Sequence, residues 1–97
     1  MLFHVIWEFT DTSEDGSRRS LQVFSKWQPP QGVQFQGFYG FADGKGGVAI
    51  VEADSAETLF ETTAPWTPWL RFTATPIIPV EQSTPIATKA MEFRDSV

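Results

Sequence analysis

The stretch GFYGFADGKGGVAIVEADSAETLF, residues 37–60, decides the reading of the chain. Residues 33–42 (VQFQGFYGFA) alternate as a strand does, although Gly37 and Gly40 weaken the pattern. Residues 48–53 (VAIVEA) are β-branched and apolar, and DGKGG at 43–47 lies between the two runs. Two β-rich runs around a glycine-rich turn predict a hairpin. The simplest register sets Phe41 opposite Val48, Tyr39 opposite Ile50 and Gly37 opposite Glu52. DSAETLFETTA (54–64) then opens with Asp54 and Glu57 at capping-box spacing, carries Leu59 and Phe60, and meets Pro65. It predicts a helix of about three turns.

Working outward, LFHVIWEFT (2–10) reads as a strand with two unlike faces. Phe3, Val5, Trp7 and Phe9 are all apolar, whereas Leu2, His4, Ile6 and Glu8 mix polar with apolar. SRRSLQVFSKW (17–27) places Leu21, Phe24 and Trp27 at helical spacing and stops at Pro29–Pro30. LRFTATPIIPV (70–80) is a fourth strand, with Leu70, Phe72 and Ala74 on one face and Arg71, Thr73 and Thr75 on the other. Pro76 marks it as an edge or a bulge. Ser83 or Thr84 caps a short amphipathic helix over about 84–95, with Pro85 near its first turn and Ile86, Ala90 and Phe93 in line.

The order β-α-β-β-α-β plus a tail helix predicts an α+β domain of ferredoxin-like topology. Strands 1 and 3 are expected at the centre and parallel to each other, with both helices on one face. Under those helices fall Phe3, Val5, Trp7, Phe9, Phe38, Ala49, Val51, Phe72 and Ala74. The opposite face collects His4, Ile6, Glu8, Phe35, Tyr39, Phe41, Val48, Ile50, Glu52, Arg71, Thr73, Thr75 and Ile77. So apolar a surface calls for a partner, and a second copy across a two-fold axis would cover it.

The bulk properties agree. The 97 residues suit one domain (core 1–80), and 41% hydrophobic residues suffice for a core. A net charge of −5 with only seven Lys and Arg argues against nucleic acid and against anionic membrane surfaces. The lack of cysteine removes disulfides, thiolate catalysis and zinc–thiolate sites, and favours the cytoplasm. No apolar run approaches a membrane span, and MLFHVIWEFTD lacks a signal peptide's basic start. With a single histidine, a three-histidine metal site within one chain is impossible; no metal and no cofactor are called for.

The segments MLFHVIWEFTD, KWQPPQG, GFYGFADG, GGVAIVEADSAETL and PWTPWLRFTATPI together resemble a family of small bacterial proteins known only as a domain of unknown function. The resemblance covers roughly residues 1 to 80. It implies the dimeric α/β-barrel form of the ferredoxin-like fold, a homodimer whose two sheets face each other. Proteins of that form include quinol oxygenases that use no cofactor, haem-degrading enzymes, lactone isomerases, dehalogenating lyases and ligand-sensing domains. None of their catalytic motifs carries over onto this chain, and fold alone does not choose among them.

The candidate site residues all come with two readings. His4 titrates near neutral pH and suits proton abstraction, or it is a hydrogen-bonded interface histidine. Glu8, Glu52 and Arg71 are expected in one cluster, either as anion clamp and acid–base groups or as a structural ion pair. Tyr39, Thr73 and Thr75 offer hydrogen bonds to a ligand or pack across an interface. ADGKGG lacks the spacing of a phosphate loop and joins two strands, so it is a turn. In the corner TTAPWTPWLRF (62–72), Trp69 is expected inside the core and Trp66 at the cavity mouth or interface. The leading functional reading is a small, mostly apolar molecule held between the sheet and its covering elements, with or without acid–base chemistry on a quinol, enol or lactone. The alternative is a non-catalytic ligand-sensing or interaction subunit.

Overall fold

The computed structural model describes residues 1–97. Its elements are β1 (Leu2–Phe9), α1 (Glu14–Lys26), β2 (Val33–Gly40), β3 (Gly46–Ala53), α2 (Ala56–Thr63), a 3-10 turn (Ala64–Trp66), β4 (Leu70–Ile77) and α3 (Val80–Asp95). The four strands form one sheet in the order β2-β3-β1-β4, so β1 and β3 are central. This is an α+β fold with the ferredoxin-like arrangement.

Every strand pair is antiparallel, including β1 with β3, which corrects the parallel expectation. The chain direction requires it. The α1 crossover returns β2 parallel to β1, and the hairpin then reverses β3. The end of β3 therefore lies beside the start of β1, with Leu2 opposite Glu52 and Glu8 opposite Gly46.

The hairpin forms with a tighter register than the simplest one. Phe41 donates its N–H to Gly46 O at 2.8 Å, and Tyr39 sits opposite Val48 and Phe38 opposite Ala49. Gly44 takes a positive φ of 76° in the turn, which glycine adopts without strain. At Gly47 a side chain would collide with the indole of Trp7, so this glycine lets β1 and the hairpin close together. Between Phe35 and Gly37 the register slips, leaving Gln36 as a bulge. An extra residue reverses the alternation beyond it. Phe35 therefore joins Phe38 on the helix-covered face, not the face expected for it.

Local signals place the helices. Ser13 caps α1, its Oγ accepting from Gly16 N–H at 3.0 Å, and Glu14 and Asp15 occupy the first turn. Ser55, not Asp54, caps α2, accepting from Thr58 N–H at 3.1 Å. The core gathers Phe3, Val5, Ala49, Val51, Ala53 and Leu59, with Trp7, Val33, Phe35 and Phe72 packed against it. Phe60 points outward.

Pro65 does not end the helical path. It stands at the start of the 3-10 turn, where its missing N–H is no loss. Leu59, Thr62 and Trp66 thus stay on one side of a continuing spiral, and all three are buried. Trp66 is the core plug and Trp69 is only half-buried, the reverse of the expectation. The Trp66 Nε1–H donates to Ser20 O at 3.2 Å and fastens the turn to α1.

α3 begins four residues before the expected start, so Pro85 falls inside it. None of its residues is buried. The radius of gyration is 17.3 Å, against about 12.5 Å for a compact chain of this length. The long dimension of 59 Å shows why: α3 extends beyond the sheet as an arm.

Candidate functional site

Two surfaces contain the chemistry that the sequence points to, and the sheet separates them.

The first lies under the helices. α1 touches the sheet side through small residues at its start and aromatic ones at its end. Its buried positions are Gly16 and Ser20, followed at helical spacing by Phe24 and Trp27. A cavity of about 280 Å³ lies between α1, α2 and the sheet. Fourteen of its seventeen lining residues are hydrophobic, and none is ionisable. Leu21 and Phe24 come from α1, Trp27 from just past its end, Phe35 and Phe38 from β2, and Val5, Trp7 and Phe9 from β1. Ala49 and Val51 form the floor, with Leu59, Trp66, Leu70 and Phe72 completing the wall.

The aromatic rings touch one another around the cavity. Trp27 meets Trp66 edge-on at 5.2 Å between centroids, and Phe35 stacks on Phe38 at 5.1 Å. Trp7 meets Phe38 edge-on at 5.3 Å, and Trp27 meets Phe35 at 6.0 Å. Such pairings hold ring orientations, because offset and edge-to-face contacts are preferred over others. Three of the polar groups at the cavity are engaged within the protein. Thr62 Oγ1 donates to Thr58 O at 3.0 Å, Thr63 Oγ1 to Phe60 O at 3.3 Å, and the Trp66 indole to Ser20 O. The cavity suits a small apolar guest with ring faces to stack on.

The second surface is the uncovered face of the sheet. It carries His4, Glu8, Glu52, Arg71, Tyr39, Thr73 and Thr75, as expected from strand alternation. They do not converge. Arg71 Nη2 donates to Glu8 Oε2 at 2.8 Å across the β1–β4 pair. Glu52 is at the other end of the sheet, where its carboxylate takes the Met1 ammonium at 2.9 Å. The expected three-membered cluster is therefore a pair plus a distant carboxylate, a direct result of the antiparallel β3. His4 sits between Ile50 and Thr75, four residues or roughly 13 Å along the strand from Glu8. Glu52 is its diagonal neighbour. Tyr39 lies at the β2 edge, exposed. Trp66 is on the opposite side of the sheet from Tyr39, Thr73 and Thr75 and cannot share a ligand with them. No group of three His, Cys, Asp or Glu residues is placed to hold a metal ion.

Of the cavity lining, the sequence offered Trp66 alone as a ligand contact, and the rest was missed. One signal was present: Leu59, Thr62 and Trp66 follow a helical spacing that runs through Pro65. The other, the bulge that turns Phe35 inward, has no mark in the sequence.

The chain matches, over residues 1–91, the family described as Domain of unknown function (DUF3303). It belongs to that family. The match takes in every strand, the 3-10 turn and most of α3, so the cavity lies wholly inside the family domain. The family description assigns no activity. A search of the curated proteins finds no match. No helix is long and apolar enough to cross a membrane.

Proposed function

We propose that this protein binds a small, mostly apolar and planar molecule in the cavity between α1, α2 and the sheet, and that it does so as a cytoplasmic homodimer. The observation that carries the ligand reading is the cavity itself: about 280 Å³, walled by interlocked aromatic rings and free of charge. Ligand sites are mostly apolar and concave, and this volume lies near the lower end of their usual range of roughly 300–1,000 Å³. A bicyclic aromatic compound such as a naphthol or an indole suits the size and the ring faces.

The dimer reading rests on the uncovered sheet face, where Leu2, Ile6, Val48, Ile50 and Ile77 have no helix over them. The acid–base reading of His4, Glu8, Glu52 and Arg71 has less support. Those groups stand on the far side of the sheet from the cavity, and Arg71 is already paired. That pairing favours, as a second reading, a ligand-sensing or interaction subunit without turnover.

Thermal unfolding with 2-naphthol and indole as probes tests the ligand reading. A guest that binds only the folded chain at 100 times its Kd stabilises by about 2.7 kcal/mol, a rise of roughly 10–20 °C for a domain of this size. Absence of any rise with both probes and with naphthoquinone up to their solubility would remove the support for it.

A further inference from the structure

α3 is a weakly amphipathic helix with nothing beneath it. At about 100° per residue, Val80, Ile86, Ala87, Ala90, Met91 and Phe93 fall within an arc of roughly 160°. Glu81, Lys89, Glu92 and Asp95 all lie outside that arc; Ser83 and Arg94 interrupt it. Yet Ile86 is 63% and Phe93 70% exposed. An isolated helix of sixteen residues is marginal in water, and most helical stability in proteins comes from packing an apolar face.

The arm does not cover its own sheet. Only Ile78 and Pro79 separate it from β4, and Pro79 is extended at φ −57° and ψ 146°. The 59 Å length of the molecule fits β4 and α3 placed nearly end to end, at roughly 26 Å and 24 Å. The uncovered face is on the body of the chain and the unpartnered helix is beyond its end. A second copy related by a two-fold axis brings the two together twice.

We infer that α3 of each chain lies on the uncovered sheet face of a second copy, in a reciprocal exchange of arms. This rests on the dimer part of the reading above and adds the element that closes it. The dimensions agree: a helix of about 24 Å matches strands of about 26 Å, and its ~10 Å width spans two strands of the four. Two such contacts, with both surfaces counted, project onto roughly 960 Å² of flat area, which side-chain relief carries toward the ~1,200–2,000 Å² of a stable interface. Ile86 and Phe93 would then cover Ile6, Val48 and Ile50. The contact is isologous and closes on itself, so it ends at two copies. It also differs from direct stacking of sheet on sheet, because the helices would stand between.

The test is sedimentation equilibrium of the full chain, with two variants and their mixture. The arm variant is Ile86→Asp with Phe93→Asp, at positions that no part of its own chain covers. The face variant is Ile50→Lys, with Thr75→Lys as the exposed neighbour should the first fail to fold by circular dichroism. The wild-type chain should be a dimer at micromolar concentration, and each variant alone should dissociate at least about 100-fold more readily. An equimolar mixture retains one sound arm and the sound face it needs, so it should associate more tightly than either variant alone. A dimer that survives the arm variant but not the face variant overturns the arm exchange and leaves the sheets pairing directly. The same is true if the mixture associates no more tightly than either variant alone. A wild-type monomer at 100 µM overturns the dimer reading as a whole.

Discussion

Replacing Ala49 by Leu separates a true cavity from an ordinary core. Ala49 lies at the centre of β3, 3% exposed, between Val5 and Phe38, and it forms part of the cavity floor. Leucine adds three carbon atoms. In a close-packed interior, added carbons force strained rotamers and backbone shifts, and the cost is about 1–3 kcal/mol. Over a void, the same atoms bury apolar surface at about 0.8 kcal/mol per carbon, so the ceiling is a gain of about 2.4 kcal/mol. Side-chain entropy of about 0.5–1 kcal/mol is lost on ordering, which leaves a gain of roughly 1–2 kcal/mol. For a domain of this size each kcal/mol moves Tm by roughly 4–8 °C. Urea and thermal unfolding followed by far-ultraviolet circular dichroism should show the variant more stable than the wild type, and 2-naphthol should bind it at least tenfold more weakly. A variant destabilised by 1–3 kcal/mol that still binds the probe would refute the reasoning, since the floor would then be packed and the guest elsewhere.

Other substitutions probe the remaining parts. Trp66→Phe keeps most of the ring but loses the indole's hydrogen bond to the Ser20 carbonyl, and should cost about 0.5–1.5 kcal/mol in urea unfolding. Arg71→Gln breaks an ion pair whose partners are 66% and 47% exposed; it should change stability by less than about 1 kcal/mol and leave probe affinity unchanged. Hydrogen bonds from the Ser13 side chain, and then from its backbone N–H, hold the Asp11 carboxyl below its ordinary value of 3.8. A lowered folded value means that its stabilising effect is complete above pH 3.8 and fades as the pH falls through that lowered value. The Asp11→Asn variant should therefore show a flatter loss of stability than the wild type in that acid range, and no greater loss at neutral pH than further acidification causes in the wild type.

The element order was legible because each strand is β-branched or aromatic and each helix has its own stop. The hairpin was read from its glycines, and the split of β1 into an apolar and a mixed face was correct at every position. Three things were misread. The bulge at Gln36 is a property of pairing, so residue alternation alone placed Phe35 on the wrong face. Pro65 looked like a terminator, because a proline breaks an α-helix, yet a 3-10 turn accepts it at its start and brings Trp66 inward. The direction of β3 was recoverable from topology, since a crossover followed by a hairpin leaves only one choice. Missing it joined Glu52 to Arg71, when its neighbours are Leu2 and the Met1 ammonium.

The candidate site was legible only as far as alternation sorts side chains between faces. His4, Glu8, Arg71, Thr73 and Thr75 lie on the face expected for them, but position along the strands keeps them from converging. The cavity is walled by side chains from α1, α2, the 3-10 turn and all four strands, so it exists only once those elements are placed.

The four tryptophans report separately on where a small apolar guest lies. Trp7, Trp27 and Trp66 line the cavity; Trp69 does not. Titration of 2-naphthol into the nitrogen-15-labelled chain, followed by the four indole N–H resonances, should shift the signals of Trp7, Trp27 and Trp66 together and leave that of Trp69 in place. Saturable shifts confined to Trp69 or to the amides of His4, Thr73 and Thr75, with the other three indoles unmoved, would put the ligand on the open sheet face and contradict the account.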